Sequence, residues 1–383
     1  MLVDLHAHYP MHLIPPAEGT HAALRAWPSE RWRARIVDWI SRIANYEGPG
    51  DEPGVTIDLL HEGRVGVALS VLYQPFDEMD FGKRYGDPPD PAYFQHLLDQ
   101  MDLVEQDVAQ RGGAQVARTG AELEACLAEQ RLALVHAVEG GFHLGAEAAA
   151  IERNVAELAR RGVAYVTLAH LFWRGIATNA PALPFLPDWL YRLLFPQPRG
   201  VGLTDLGRAA VRGMVAERML VDVTHMSERS LADTFALLDQ LDPAGGVPVI
   251  ATHMACRFGG LSYNLLDDAI ERIARRGGVM GVIDCRHYVT DRRLRSARDG
   301  TPEDSIELIC AQIDHIAEVT GSFEHAAIGT DLDGYIKPAL KGLEHAGCMG
   351  ALQDALERRY GAERARKVCS ENALRVLRVR FGR

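Results

Sequence analysis

Residues 1–8 read Met-Leu-Val-Asp-Leu-His-Ala-His. A short apolar run starts the chain and ends at once in two histidines. The same pattern of apolar run followed by a chemically capable side chain recurs along the sequence. Runs at Leu2–Leu5, Val65–Tyr73, Leu132–Val138, Val163–Leu168, Leu220–Val223, Val247–Ala251, Gly278–Ile283 and Ala326–Gly329 predict eight strands. Several are nearly continuous Val, Leu, Ile and Ala, which is the composition of strands covered on both faces.

Amphipathic stretches separate them. Pro28 opens a first helix whose Trp32, Ile36, Trp39, Ile40 and Ile43 share one face. Further helices are expected over residues 93–109, 146–160, 204–217, 227–238 and 265–275, and from Met349 onward. Thr301, Pro302 and Asp304 form a capping-box start for another, with Ile306, Ile309, Cys310, Ile313 and Ile316 as its buried stripe. Strands alternating with helices predict a closed (β/α)8 TIM barrel of the α/β class, with residues 1–383 as one domain. An open doubly wound sheet is the alternative, but the sequence has neither a GxGxxG fingerprint nor a Walker A loop. Two excursions interrupt the rhythm, at about 10–63 and 178–202. The second follows the fourth predicted strand and carries Pro181, Pro184, Pro187, Pro196 and Pro198 with Phe185, Trp189, Leu190, Tyr191 and Phe195. It reads either as a wall or roof of the site or as a packed surface loop or oligomer contact.

Composition excludes several classes. Of 383 residues, 47% are hydrophobic and 24% charged, which rules out a mainly disordered chain. The balance of 41 Lys plus Arg against 52 Asp plus Glu gives a formal charge of −11, which disfavours nucleic-acid binding. No stretch approaches the about 18 consecutive apolar residues of a membrane span. The amino terminus lacks a secretory pattern, and Cys126, Cys256, Cys285, Cys310, Cys348 and Cys369 are scattered without a CxxC pair. A cytoplasmic location is the expectation.

The chemical residues stand at strand ends. His6 and His8 end the first strand and Glu139 the third. His170 follows the fourth, His225 the fifth, His253 the sixth and Asp331 the eighth. In a barrel these ends ring one mouth. His6 and His8, at i and i+2 of a strand, point to one face. Zinc accepts imidazole nitrogen and carboxylate oxygen, so His6, His8, His225 and His253 are candidate ligands, and the two oxygens of Glu139 could bridge two metals. Alternatively Glu139 pairs with an arginine such as Arg174 or Arg257, because a buried carboxylate needs a cationic partner. No thiolate falls in the set, which argues against a closed structural zinc site. Of Asp331 and Asp333, one could orient or deprotonate a water, and Asp333 reads as a loop or helix cap.

With these residues assembled, the sequence resembles the membrane (renal) dipeptidase family of the amidohydrolase superfamily. The likeness rests on DLHAH (4–8), VEGG (138–141), TLAH (167–170), GLTDLG (202–207), MLVDVTHMS (219–227), PVIATHMACR (248–257), YNLLDD (263–268), IGTDLDG (328–334) and ENALRV (371–376). The resemblance implies a (β/α)8 barrel, two divalent metal ions (zinc), a dipeptide as substrate and a homodimer. It implies that His6 and His8 bind one zinc, that Glu139 bridges, and that His225 and His253 bind the other. His170 is implied to polarise the scissile carbonyl, Arg257 to hold the substrate carboxylate, and Asp331 to pass a proton from a metal-activated water to the leaving amine. Two departures stand out. The family's first motif usually reads His-x-Asp, so His8 removes one negative charge from the shell. The family places an Asn close to the His of TLxH, whereas Asn179 stands further on. His8 also motivates a rival reading, a hydrolase of the same superfamily acting on another amide or a lactone. A barrel that binds a metal or ligand without catalysis is a third.

Overall fold

A computed structural model describes residues 1–14, 52–78, 85–183, 185–290, 300–334 and 339–382. Nine parallel strands form one sheet: β1 Leu2–Ala7, β2 Val65–Leu72, β3 Ala114–Val116, β4 Leu132–Glu139, β5 Tyr165–Thr167, β6 Leu220–Asp222, β7 Val249–Met254, β8 Met280–Val282 and β9 Ala326–Ile328. The order runs β2-β1-β9-β8-β7-β6-β5-β4-β3, and β2 pairs with β4 to close the ring. Eight strands therefore make the barrel, in agreement with the eight read from the sequence. The ninth, β3, lies beside the amino half of β4, whereas β5 takes over at the carboxyl end of β4. Its sequence, Ala-Gln-Val, has no run or alternation from which a strand could be read. Several strands are shorter than their apolar runs: β5 pairs with β6 only from Tyr165 onward.

The barrel interior is small and aliphatic. Val3, Leu5, Val67, Leu69, Val71, Ala133, Val135, Ala137, Leu220, Ile250, Val279 and Ala327 belong to one buried cluster, joined by Ala373, Val376 and Leu377 of the helix Asn372–Arg380. A second, larger cluster lies between the strands and the surrounding helices. These include Ala92–Arg111, Ala148–Arg160, Asp205–Ala216, Glu228–Leu241, Asp267–Arg275, Pro302–Thr320 and Met349–Tyr360, close to the sequence-based bounds. Helices Ile57–Glu62 and Gly120–Ala128 were not expected. The helix expected from Pro28 lies outside the described residues. Among the described residues no helix is long and apolar enough to cross a membrane.

The proline-rich excursion contains a helix, Asp188–Leu194, whose Tyr191 and Leu194 pack with Phe172, Leu186 and Phe195. Its amino-terminal part runs across the end of β6: Ala180 N–H donates to the His225 carbonyl at 2.7 Å, and Ser227 N–H donates to the Thr178 carbonyl at 2.9 Å.

At Thr301 the capping box is present. The Asp304 N–H donates to Thr301 Oγ1 at 3.2 Å, and the Thr301 N–H donates to Asp304 Oδ2 at 3.1 Å. Both residues are on the surface, so their loss touches stability alone. Thr301→Ala is expected to cost about 1 kcal/mol, read as a lower urea midpoint with an unchanged slope.

Candidate metal centre

Asp4, in the middle of β1, anchors the strand end that carries the first two histidines. Its Oδ1 accepts from the N–H groups of His6 (3.1 Å) and Thr330 (3.0 Å), and its Oδ2 accepts from Thr330 Oγ1 (2.7 Å). Burial outweighs these bonds and pushes its carboxyl up to about 6. The β1–β2 register slips between Asp4 and Ala7. His8 lies just past the strand, yet its Nε2 is 3.2 Å from His6 Nε2. His225 and Asp331, beyond the ends of β6 and β9, take left-handed backbone with φ of 64° and 59°. Such conformations are costly for non-glycine residues and concentrate at functional sites.

The sequence-predicted ligands converge. His225 and His253 bring their Nε2 atoms to 2.9 Å. Glu139 Oε1 lies 3.3 Å from His6 Nε2 and 3.5 Å from both His225 and His253 Nε2. Glu139 Oε2 lies 3.3 Å from His8 Nε2 and from His170 Nε2. Asp331 Oδ1 is 3.1 Å from His8 and 3.7 Å from His6. All are buried. Three ligand groups result: His6, His8 and Glu139; Glu139, His225 and His253; His6, His253 and Asp331. The first two share Glu139.

This donor set fits divalent cations. Four imidazole nitrogens turned toward one carboxylate, with Glu139 Oε1 buried and without a hydrogen-bond partner, need positive charge between them. Without metal the imidazoles supply it. Burial would raise the Glu139 carboxyl, but His170 and His6 hold it well below the usual range. Burial pulls His8 down, yet its bonds to Asp331 and Glu139 prevail and hold it at about 10. Burial lowers His225 and His253. Among the described residues no arginine pairs with Glu139: Arg174 donates to the Glu78 carbonyl, and Arg257 bonds to Glu228, Ser262 and Asn264.

His170 stands over the cluster with Nε2 toward Glu139. Its Nδ1 is 2.6 Å from Glu78 Oε2. Glu78 is fully buried and also accepts from the Tyr73 hydroxyl (2.7 Å) and the Phe172 N–H (2.9 Å). Sequence reading missed Glu78. The signal was available, because β2 was the one early strand with no chemical residue assigned beyond its carboxyl end. Arg257 makes three bonds away from the cluster, to Glu228 Oε1 (2.5 Å) and to the carbonyls of Ser262 (2.7 Å) and Asn264 (2.9 Å). Asn179 is structural, its amide donating to Leu171 O, Ala180 O and the Tyr191 hydroxyl. Tyr263, not singled out in the sequence, packs its ring 5.0 Å from that of His225 and donates to the His253 carbonyl at 2.8 Å.

Asp333 caps backbone, as expected, though in a loop: its carboxylate accepts from the N–H groups of Gly54 and Val55 at 2.9–3.0 Å. His136 points at Glu105 on an outer helix, and His325 bonds to Gly278 O ahead of β8. All six cysteines are unpaired, and Cys256 is buried packing.

A parallel barrel whose mouth gathers buried imidazoles and carboxylates in two overlapping triads defines a metal-dependent hydrolase. Comparison with known proteins agrees: residues 42–380 match the membrane dipeptidase family, peptidase family M19, and the chain belongs to it. Among curated relatives, dipeptidase tcpJ of Claviceps purpurea is 25% identical over 85% of this chain and 68% of its own length. Dipeptidase 3 of Rattus norvegicus is 26% identical over 84% of this chain but only 58% of its own. A metallopeptidase from Rhodobacter sphaeroides, solved with a phosphinate mimic of the dipeptide L-Ala-D-Ala, shares the fold with a TM-score of 0.69. It is 20% identical, with 98% of both chains covered.

Gly334 sets how close Asp331 comes. A Cβ there would lie 1.9 Å from Asp331 Oδ1 and 2.8 Å from His8 Cδ2. Gly334→Ala should displace the Asp331 carboxylate in a crystal structure. A shift of about 1 Å should lower turnover by about a hundredfold, and an unmoved carboxylate would refute this reading.

Proposed function

We propose that this protein is a zinc-dependent dipeptidase that hydrolyses the peptide bond of dipeptides. His6 and His8 hold one zinc, His225 and His253 the second, and Glu139 lies between them. The observation that carries the reading is the pair of three-residue groups that share Glu139. The dipeptidase names of the relatives and the dipeptide mimic bound by a structural neighbour support it.

When bound, the ions supply Lewis-acid activation of water and carbonyl. The side chains do the rest. Asp331, at the rim of the cluster, takes a proton from the attacking water and returns it to the leaving amine. As the imidazolium, which the neighbouring Glu139 and Glu78 carboxylates favour against burial, His170 offers a hydrogen bond from Nε2 to the carbonyl oxygen as negative charge develops there. Glu78 holds Nδ1, so the ring need not reorient during reaction. Of the five N–H donors of Arg257, three are engaged by Glu228, Ser262 and Asn264. The remaining two are available to a substrate carboxylate.

The engagement of Arg257 also favours a second reading, in which the substrate is another amide or a lactone without a free carboxylate. A panel of dipeptides, N-acyl amino acids and lactones separates the two. Dipeptide turnover that a chelator abolishes and zinc restores is the expected result. Lactone turnover without dipeptide turnover selects the second reading.

Metal uptake should depend on pH with a definite sign. His8, held at about 10 without metal, carries a proton near neutrality that a ligand nitrogen must give up. Apparent zinc affinity should therefore fall as pH is lowered, by about tenfold per pH unit for each displaced proton. Calorimetry in buffers of different ionisation enthalpy should show net proton release. Affinity independent of pH between 6 and 8 (roughly the range of a His switch) would contradict it.

A further inference from the structure

Two of the four imidazoles are braced from behind and two are not. His6 Nδ1 is 2.8 Å from the Tyr165 hydroxyl, which gives its own hydrogen to the Leu5 carbonyl at 2.8 Å. That oxygen can therefore only accept, so the hydrogen of His6 sits on Nδ1 and Nε2 is left bare. His253 Nδ1 is 3.0 Å from Thr252 Oγ1, which donates to Asp222 Oδ2 at 2.8 Å. By the same logic the hydrogen of His253 sits on Nδ1. Asp222 is a pure acceptor. Oδ1 receives Thr224 N–H (3.0 Å), Thr224 Oγ1–H (2.6 Å) and Thr252 N–H (3.2 Å), and Oδ2 also receives Thr167 Oγ1–H (2.5 Å). By contrast, Nδ1 of His8 and of His225 is buried with no hydrogen-bond partner.

The braced rings belong to different metal positions, one in each. Thr252 reaches both, since its Oγ1 also lies 3.3 Å from His6 Nδ1. Its backbone is wedged: a Cβ on Gly281 or Gly329 would lie 2.0 or 1.7 Å from the Thr252 carbonyl oxygen. Tyr165, Asp222 and Thr252 are completely buried. Hydrogen bonds behind a metal-binding imidazole fix its tautomer and orientation, and their loss typically costs about 10–100-fold in affinity.

We propose that Thr252, anchored on Asp222, is a positioning residue that sets the affinity of both metal positions at once, and that Tyr165 does so for the His6 position alone. This inference rests on the dinuclear zinc reading above. The experiment measures zinc affinity by chelator competition, and zinc per chain by elemental analysis, for the full-length protein and for Thr252→Val, Thr252→Ser and Tyr165→Phe. Circular dichroism of the metal-free proteins checks the fold. The wild type is expected to hold two ions. Thr252→Val should weaken both by about 10–100-fold, Thr252→Ser should restore them, and Tyr165→Phe should weaken one. Wild-type affinity in Thr252→Val, or a serine variant as weak as the valine variant, overturns the inference while leaving the zinc reading intact. Should Thr252→Val fail to fold, Tyr165→Phe decides alone, and two ions held at wild-type affinity overturn the proposal. A wild type that takes up no zinc overturns both.

Discussion

Ligand atoms of like polarity packed side by side in a buried cavity repel one another. Four imidazole nitrogens and the Glu139 carboxylate are held in that relation at the barrel mouth, within 2.9–3.5 Å of their neighbours. A low-dielectric interior makes such an arrangement expensive unless positive charge occupies its centre. The eight barrel strands resist the repulsion because each is hydrogen-bonded on both sides around a closed ring. Local consistency is given up at the mouth, where His225, Asp331 and Asp333 adopt left-handed backbone and Asp4 is buried, and left-handed backbone also occurs at Arg64, Gln130 and Arg218 ahead of β2, β4 and β6.

Much of this was legible in the sequence for a physical reason. A parallel barrel strand is covered on both faces, so β2 and β4 appear as nearly continuous apolar runs, broken by Ser70 and His136. A polar group directly after such a run must lie at the mouth, which located His6, Glu139, His225 and His253. What failed to show depended on tertiary contacts. Glu78 is separated from β2 by a turn, and its importance comes from His170, on a distant segment. Tyr165, Asp222 and Thr252 sit inside strands, where a hydroxyl or carboxylate has no pattern to betray what it touches. Of the two cationic partners considered for Glu139, a pair of metal ions or an arginine, its surroundings fit the first: imidazoles pack around it.

His8 changes the charge of the centre. Among the residues of the cluster only Glu139 and Asp331 bear carboxylates. An imidazole neutralises less of a cation's charge than a carboxylate does. The bound ions would then remain more electron-poor than with an aspartate at this place. The orientation of His8 is left to Asp331 and Glu139, because its buried Nδ1 has no hydrogen-bond partner.

The Asp333 carboxylate clamps the backbone of Gly54 and Val55, two residues past Asp331 on the same turn. The loop that carries Asp331 is thereby splinted to a stretch far away in the chain, just before helix Ile57–Glu62. The positions of Gly54 and Val55 are thus tied to the turn that carries Asp331 by hydrogen bonds from their backbone N–H groups.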